Sequence, residues 1–190
     1  MTHPHSEGVR KGEKLIFLDY DGVIFPPRAG IGAVVSPHFN AVNILNGILG
    51  RENPGIVVTA GWRDGKTMRQ LENELWGWGL TRAKVVGLTP QIKKTSNLIL
   101  RKAQEISLWF ALTCRVPIPH NNFVVVNHWP VNALGLDSRL VKTSGVFEGK
   151  DGVRIRELFG RHTLQMEELE KRLKEHEGQL LEGDVQGVGV

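Results

Sequence analysis

Two aspartates that could carry chemistry, Asp19 and Asp21, stand two positions apart at the end of an apolar run over residues 14–18. Such a run, ending in acids and a glycine, is typical of a buried parallel strand that brings polar groups to its carboxyl edge. Side chains alternate along a strand, so both carboxylates are expected on one side if the strand geometry continues. Two neighbouring carboxylates repel each other, so a bound cation would stabilise the pair. Mg2+ is a typical cation for such a site, because it prefers oxygen ligands. In phosphoryl transfer, one carboxylate of such a pair attacks phosphorus and the other moves protons.

The same pattern, Asp-x-Asp-Gly, also fits a strand-end turn without any chemistry, because Asp and Gly often end strands. Gly22 would permit the sharp exit that a side chain obstructs. We therefore expect Gly22 to border the bound substrate, although the short pattern taken alone does not separate a catalytic site from a turn.

The strands and helices that must position these residues alternate along the chain. The predicted strands cover residues 14–18, 56–58, 84–86, 123–126 and 140–141, and the predicted helices cover about 36–50, 64–78 and 96–113. This alternation predicts βαβ units, and hence a three-layer Rossmann-like α/β fold with a parallel sheet that carries helices on both faces. In the first helix we expect Ser36 as the cap, Pro37 at the first position, Phe39 on the apolar face and Gly50 near the end.

The length of 190 residues suits one domain with short tails. The predicted parts are a flexible leader over residues 1–12, the α/β domain over 13–177 and a disordered tail over 178–190. The domain includes a charged C-terminal helix with an apolar repeat at Met166, Leu169 and Leu173. We prefer packing of this helix on the domain, because the repeat spans only about two heptads, but an oligomer formed through it stays open.

Cysteine content and charge narrow the compartment and the partners. A single cysteine, Cys114, excludes a disulfide scaffold and is interpreted as a buried apolar side chain. The sequence has neither a signal peptide nor a run of about 20 apolar residues, so we expect a cytoplasmic protein without membrane contact. Lys and Arg number 24 against 20 Asp and Glu, and the resulting net charge of +4 is compatible with phosphate-bearing substrates.

The run over residues 15–24 closely resembles the first signature of the haloacid dehalogenase (HAD-like) superfamily. The resemblance implies that Asp19 is the nucleophile, which becomes an aspartyl phosphate, and that Asp21 is the general acid and base. Residues 56–59 resemble the second motif, in which a hydroxyl group, here that of Thr59, binds the phosphoryl group. The alternative for Thr59 is a simple turn or helix-cap residue.

The four residues Ala60-Gly61-Trp62-Arg63 resemble the small-small-Trp-Arg sequence of one HAD-like subgroup. Members of that subgroup include domains associated with nucleic-acid repair, and the resemblance covers about residues 14–160. It implies that Ala60 and Arg63 border the substrate, with Trp62 at the mouth of the pocket. A core position for Trp62 and a surface ion pair for Arg63 are equally open.

Lys102 is the residue that the resemblance assigns to the third motif, where a basic side chain neutralises the phosphate and the nucleophile. It stands in the helix predicted at about 96–113, followed by Glu105-Ile106 as in the subgroup. A helical lysine is usually just solvated. Three other basic residues therefore remain candidates, namely Lys93, Lys94 and Arg101.

The fourth motif departs from the family pattern, because the strand over residues 123–126 is followed by Asn127 where the family carries aspartate. The resemblance then implies a metal site formed by Asp19, Asp21 and Asn127. An amide oxygen replaces one negative charge, so the affinity for the expected Mg2+ should fall. We describe this fourth motif as degenerate.

His128 follows Asn127 and could supply a nitrogen ligand, which would shift the preference of the site towards Mn2+. A loop histidine that binds no metal is the preferred interpretation. The nearby acids that could replace the missing aspartate are Asp137 and Asp151, and neither has the expected position.

The gaps over residues 23–55 and 87–123 are too short to hold the cap domain that some HAD-like enzymes insert there. A capless site is open, which in this family suits bulky or macromolecular phosphates. We therefore predict a metal-dependent phosphatase that acts through an aspartyl-phosphate intermediate on a phosphorylated small molecule or a nucleic-acid end. The alternative, raised by the fourth motif, is an attenuated pseudoenzyme that binds phosphate, nucleic acid or a protein partner.

Overall fold

Five parallel strands form the centre of the fold in this computed structural model, which describes residues 13–27, 36–92, 97–113, 122–131 and 135–160. The strands are β1 (Leu15–Leu18), β2 (Gly55–Val58), β3 (Val85–Leu88), β4 (Phe123–Asn127) and β5 (Leu140–Lys142). The helices are α1 (Phe39–Glu52), α2 (Met68–Gly77), α3 (Leu98–Thr113) and α4, which is described over residues 149–160. The order of the strands in the sheet is β3-β2-β1-β4-β5.

The sheet is buried on both faces, which explains why its strands are continuous apolar runs. In β1, Ile16 and Leu18 face the core that contains the buried sides of α1, α2 and α4. Leu15 and Phe17 face the opposite core, which is formed with α3. The three-layer Rossmann-like α/β prediction is therefore confirmed, and three of the four described helices share one face.

The direction of chain growth reverses at β1. Through α1 and α2 the chain moves outward from β1 to β2 and β3, and it then returns along α3 to place β4 on the other side of β1. In open parallel sheets, ligands bind in the crevice beyond the carboxyl ends of the strands at such a reversal. This topology puts the crevice directly after β1 and β4, where Asp19 and Asn127 stand.

Helix α1 differs from the prediction at both ends. Its cap is His38, whose side chain makes no capping hydrogen bond, and its first residue, Phe39, is 76% exposed instead of facing the core. Gly50 lies inside the helix. The chain leaves the helix at Asn53, which adopts a left-handed φ of 47° and donates its N–H to the carbonyl oxygen of Leu49. The helix therefore ends where a left-handed residue satisfies that carbonyl group.

Within the described ranges, the crossovers between strands contain no inserted cap domain. None of the helices described is long and apolar enough to span a membrane. The predicted leader at residues 1–12, the apolar repeat at Met166, Leu169 and Leu173, the tail at 178–190 and Cys114 lie outside the described residues, so these predictions stay predictions.

Candidate phosphoryl-transfer site

Strand register aligns three of the predicted site residues at the carboxyl edge of the sheet. Leu18 in β1 pairs with Val58 in β2 and with Val126 in β4. The next residues along these strands, Asp19, Thr59 and Asn127, therefore stand side by side. Backbone hydrogen bonds fix this alignment, because the Asp19 N–H donates to Val126 O at 3.1 Å and the Thr59 N–H donates to Leu18 O at 2.9 Å.

The Asp19 carboxylate is buried and is held by three donors. Its Oδ1 accepts the backbone N–H of Tyr20 at 2.9 Å. Its Oδ2 accepts the amide Nδ2 of Asn127 at 3.0 Å and lies 3.4 Å from the ammonium nitrogen of Lys102. The carboxylate is thus oriented by neutral donors and balanced by one buried cation.

Lys102 reaches this carboxylate from α3, on the face of the sheet opposite α1. Burial lowers the pKa of Lys102 below its ordinary value of 10.5, and the negative charge of Asp19 partly offsets that effect. The same ammonium group donates to the carbonyl oxygen of Thr59. Lys102 therefore connects the ends of β1 and β2. Arg101 also borders the site, whereas the other candidates, Lys93 and Lys94, lie outside the described residues.

Asp21 reaches the same pocket through a turn and not through a continued strand. Strand β1 ends at Leu18, and the carbonyl oxygen of Tyr20 then accepts the N–H groups of residues 23–25. The Tyr20 side chain is fully buried, so Asp19 and Asp21 face the pocket on either side of it. Both carboxylates therefore lie on the same side, as predicted, but the strand does not continue to Asp21 as the prediction assumed.

Trp62 orients the second carboxylate. Its indole Nε1 donates to Asp21 Oδ2 at 3.1 Å, and its ring stacks on Phe25 with 4.9 Å between the ring centroids. The ring also meets Tyr20 and Trp78 edge to face. The core position of Trp62 is therefore present, because its ring packs on the core. Trp62 is not among the residues that line the pocket, and it contacts the site through its hydrogen bond to Asp21.

Gly22 is required by its conformation and by a close neighbour. Its φ is 71°, a left-handed value that side chains disfavour, and a Cβ built there would lie 2.4 Å from Cγ of His128. The sharp exit expected from the sequence is therefore present, and the imidazole ring packs into the space that it leaves.

Thr59 holds a buried hydroxyl on the strand next to Asp19. The residue is 1% exposed, and its Oγ1 makes no hydrogen bond within the part of the chain that the structure describes. A buried polar atom normally has a partner. Thr59 is not among the residues that line the cavity described below, so its contact with phosphate stays a prediction.

Arg63 is buried in the wall of the pocket, with all five guanidinium donors engaged by the protein. The Nε donates to Thr89 O, Nη1 donates to Thr59 O and Ala60 O, and Nη2 donates to Pro90 O. Nη2 also forms an ion pair with Glu105 Oε2 at 2.7 Å, and both side chains are 5% exposed. The expected contact of Arg63 with substrate would therefore require one of these bonds to break.

Asn127 does not present an oxygen to a metal ion in this arrangement. Its Oδ1 accepts the backbone N–H of Trp129 at 2.9 Å. A backbone N–H can only donate, so the amide orientation is fixed and Nδ2 must face Asp19. This differs from the expectation that Asn127 offers its carbonyl oxygen as a ligand.

The remaining donors do not complete a divalent-cation site. Among the residues that the structure describes, no group of three or more His, Cys, Asp or Glu side chains could hold a metal ion. Asp151 accepts the backbone N–H of Glu148, and neither Asp137 nor Asp151 lines the pocket. Because Asn127 turns a donor towards Asp19 and Lys102 already supplies a positive charge, this donor set does not fit Mg2+ as arranged.

A cavity of about 470 Å3 opens beside Asp19 and Asp21. Its lining includes both aspartates and Lys102, together with Gly61, Arg101, His128 and Trp129. This volume lies within the range of ligand-binding pockets, roughly 300–1,000 Å3. The cavity can therefore receive a phosphate together with part of the group that carries it.

Two comparisons bear on the family. The family model described as the HAD domain in Swiss Army Knife RNA repair proteins matches residues 15–147, which is more than half of the chain. No curated protein matches the chain significantly. HAD proteins generally use Mg2+. The matched segment runs from β1 to just beyond β5, and it therefore contains all the residues that line the cavity. The chain therefore belongs to the family of HAD domains found in Swiss Army Knife RNA repair proteins.

Proposed function

We propose that this chain is a phosphatase that removes a terminal phosphate from RNA through an aspartyl-phosphate intermediate on Asp19. The observation that carries the proposal is the convergence of three groups at one edge of the sheet. These are the Asp19 carboxylate, the Lys102 ammonium group 3.4 Å away and the buried Thr59 hydroxyl. The RNA end as substrate is supported by the family, whose described members are RNA repair proteins.

In the first step, an oxygen of Asp19 attacks phosphorus and forms the acyl-phosphate bond. The bond from phosphorus to the leaving oxygen breaks, and protonated Asp21 gives its proton to that oxygen. In the second step, water attacks the same phosphorus, and Asp21 takes a proton from the water. The bond between phosphorus and Asp19 then breaks and inorganic phosphate leaves.

Lys102 balances negative charge in both steps. Its buried ammonium group lies beside the attacking carboxylate and faces the cavity that would hold the phosphoryl oxygens. A fixed cation in such a water-poor position stabilises developing charge more than it would in water. We assign Arg63 a positioning role, since its donors hold the backbone at Thr59 and Ala60.

The proposal is tested by phosphate release from RNA oligonucleotides that carry either a 3′ or a 5′ terminal phosphate, with an aryl phosphate as a generic substrate. We expect release from at least one RNA end at a rate above that of the aryl compound. A covalent phosphoryl adduct that hydroxylamine removes would identify the acyl phosphate. No release from any substrate, with or without Mg2+, would contradict the proposal.

The Asn127→Asp variant tests the fourth motif. The new carboxylate would stand next to Asp19 without the present amide donor, so the two charges should repel and the metal-free variant should be less stable. Mg2+ should relieve that repulsion. We therefore expect Mg2+ to raise the melting temperature of the variant and to increase its phosphate release roughly 10-fold or more, with little effect on the wild-type protein.

The matched control is Asn73→Asp, which adds the same charge at an exposed position of α2. Its response to Mg2+ should equal that of the wild type. A wild-type protein that already shows a strong Mg2+ requirement would contradict our assignment of Asn127.

A phosphate-binding pseudoenzyme is the second candidate, and the Asn127 amide beside Asp19 is the observation that favours it. A wild type that binds phosphorylated RNA but releases no phosphate would support this candidate. Gain of turnover in Asn127→Asp would then show that a single amide attenuates the site.

The lowered pKa of Lys102 predicts an alkaline limit to phosphate binding. The ammonium group is charged below its pKa in the folded protein, so affinity for inorganic phosphate should be lost as the pH rises through that pKa, below the ordinary 10.5. In the same window the unfolded chain binds more protons, so the free energy of unfolding should rise with pH. Phosphate titrations from about pH 7 to 10 would measure the first effect.

Lys102→Arg is the control for this pH effect, because arginine stays charged throughout the range. The variant should keep its phosphate affinity up to pH 10, provided that a melting curve shows it folded. If Lys102→Arg lost its phosphate affinity at alkaline pH in the same way as the wild type, the deprotonation of another group would be responsible for the loss.

A further inference from the structure

Trp129 presents an exposed indole ring at the cavity that contains Asp19. It is 42% exposed, and it is the only one of the exposed large apolar side chains in the described ranges that lines this cavity. Trp76, which is similarly exposed, lies elsewhere and donates its Nε1 to the carbonyl oxygen of Ala83. Trp129 therefore offers a flat apolar surface to a ligand that enters the cavity.

The backbone on both sides of the Trp129 ring is fixed close to the nucleophile. Its N–H donates to Asn127 Oδ1 at 2.9 Å, and its carbonyl oxygen accepts the N–H of Val131, also at 2.9 Å. The other end of the Asn127 amide contacts Asp19. A single side chain thus links the position of Trp129 to that of the attacking carboxylate.

The imidazole of His128 supports the ring from one side. The two ring centroids are 4.9 Å apart, with a tilt of 50° between the planes. His128 in turn occupies the space beside Gly22. An aromatic ring held in this way loses little conformational freedom when a second flat ring packs against it.

The groups around the cavity match the parts of a nucleotide. Lys102 and Arg101 supply positive charge for a phosphate, whereas Trp129 supplies a flat apolar surface. Bases of nucleic acids stack on aromatic side chains irrespective of their sequence, and the phosphates pair with Lys and Arg. A phosphorylated sugar or small acid has no flat ring to place on the indole.

We propose that Trp129 stacks on the nucleobase next to the terminal phosphate and so selects nucleotide ends over other phosphomonoesters. This inference rests on the proposed function and names the feature of the substrate that the site would recognise. Stacking on any base predicts a preference for the presence of a base with little dependence on its identity.

The test measures binding of the full chain to fluorescent RNA oligonucleotides by anisotropy at one fixed salt concentration, since phosphate contacts depend on salt. Each oligonucleotide carries a terminal phosphate, at the 3′ or the 5′ end, on either an ordinary or an abasic terminal nucleotide. At one of the two ends, the wild type should bind the base-bearing form about 10-fold more tightly.

Trp129→Ala should abolish this preference and leave affinity for the abasic form unchanged, whereas Trp129→Phe should keep most of the preference. Phe39→Ala removes an aromatic side chain that is 76% exposed and does not line this cavity, and it should behave as wild type. Equal binding of both forms by the wild type, a preference that survives Trp129→Ala, or no binding of any oligonucleotide would overturn the inference.

Phosphate release from the same oligonucleotides separates the two proposals. A base preference that depends on Trp129, found without any release, would contradict the phosphatase function and leave the stacking site standing. Phosphate release without a base preference would support the phosphatase function and contradict the stacking site.

Discussion

Phosphate release by the Asp19→Asn variant is expected to fall by roughly 10,000-fold or more, the scale of loss when a residue of a catalytic unit is removed. An amide oxygen is a poor nucleophile and cannot form the acyl phosphate that the proposed mechanism requires. The change also disturbs the ground state. Asp19 accepts from Tyr20 on one oxygen and from Asn127 on the other, and an amide would turn its NH2 towards one of these two donors.

The measurement needs three readouts, because the substitution touches a buried group. A melting curve shows whether the variant is folded, phosphate release gives the rate, and hydroxylamine-sensitive labelling reports the covalent intermediate. Labelling that persists in Asp19→Asn would assign the nucleophile to another residue.

Asp21→Asn is the matched control for this variant. It retains the nucleophile and removes the proton transfer, so an aryl phosphate, whose leaving group needs little protonation, should still phosphorylate Asp19. Breakdown of the intermediate should be slow, because no base activates the water. An initial burst of aryl alcohol is therefore expected in Asp21→Asn and not in Asp19→Asn.

Replacement of Arg63 by alanine is expected to lower the free energy of unfolding by about 3–5 kcal/mol. The change removes the ion-pair partner of the buried Glu105 carboxylate and one guanidinium donor from each of four carbonyl oxygens. Domains of this size have total stabilities of about 5–15 kcal/mol, so the loss is a large fraction. Denaturant unfolding, fitted with the same m-value for the wild type and the variant, would measure this loss of stability.

Arg63→Lys keeps the variant series informative if Arg63→Ala does not fold. Lysine retains the charge opposite Glu105 but lacks the planar fork that reaches several carbonyl groups at once, so an intermediate loss of stability is expected. The control is Lys66→Ala, which breaks a partly exposed ion pair with Glu74 at 2.6 Å and should cost at most about 1 kcal/mol. Similar losses in Arg63→Ala and Lys66→Ala would contradict the role of Arg63.

Local patterns were sufficient to predict the sheet and to place Asp19 at its carboxyl edge. The apolar runs of β1 and β4 are long enough to identify as buried strands, and Asp19 follows the first of them directly. Parallel pairing aligns the carboxyl ends of neighbouring strands, and Asp19 and Thr59 accordingly stand side by side. The catalytic roles of both residues are what the family resemblance implies, and they stay predictions. The prediction of the sheet and of its polar edge depends only on hydrophobic periodicity and on the geometry of parallel strands.

Contacts between distant positions could not be predicted in this way. Arg63 and Glu105 are 42 residues apart, and Trp62 and Asp21 are 41 apart, so no periodicity relates them. The basic-x-x-Glu spacing in α3 did draw attention to Glu105, but its partner depends on how α3 packs on the sheet.

The amide of Asn127 was assigned the wrong atom for a similar reason. Composition identifies an amide at the fourth motif, but only the neighbouring backbone N–H of Trp129 decides which end of the amide faces Asp19. The orientation of a side chain is a property of its three-dimensional surroundings, and this one reverses the electrostatic contribution that the sequence had led us to expect.

The central place of β1 has one more consequence. Both edges of this strand are hydrogen-bonded, to β2 and to β4, so the peptide carrying Asp19 is braced from two directions. Trp129, by contrast, lies in the loop after β4. In the proposed mechanism, the attacking carboxylate is thus held by the centre of the sheet, whereas the residue proposed to recognise the base lies in a loop. Substitutions in such a loop can change which substrate is accepted, while the proposed chemistry on Asp19 stays the same.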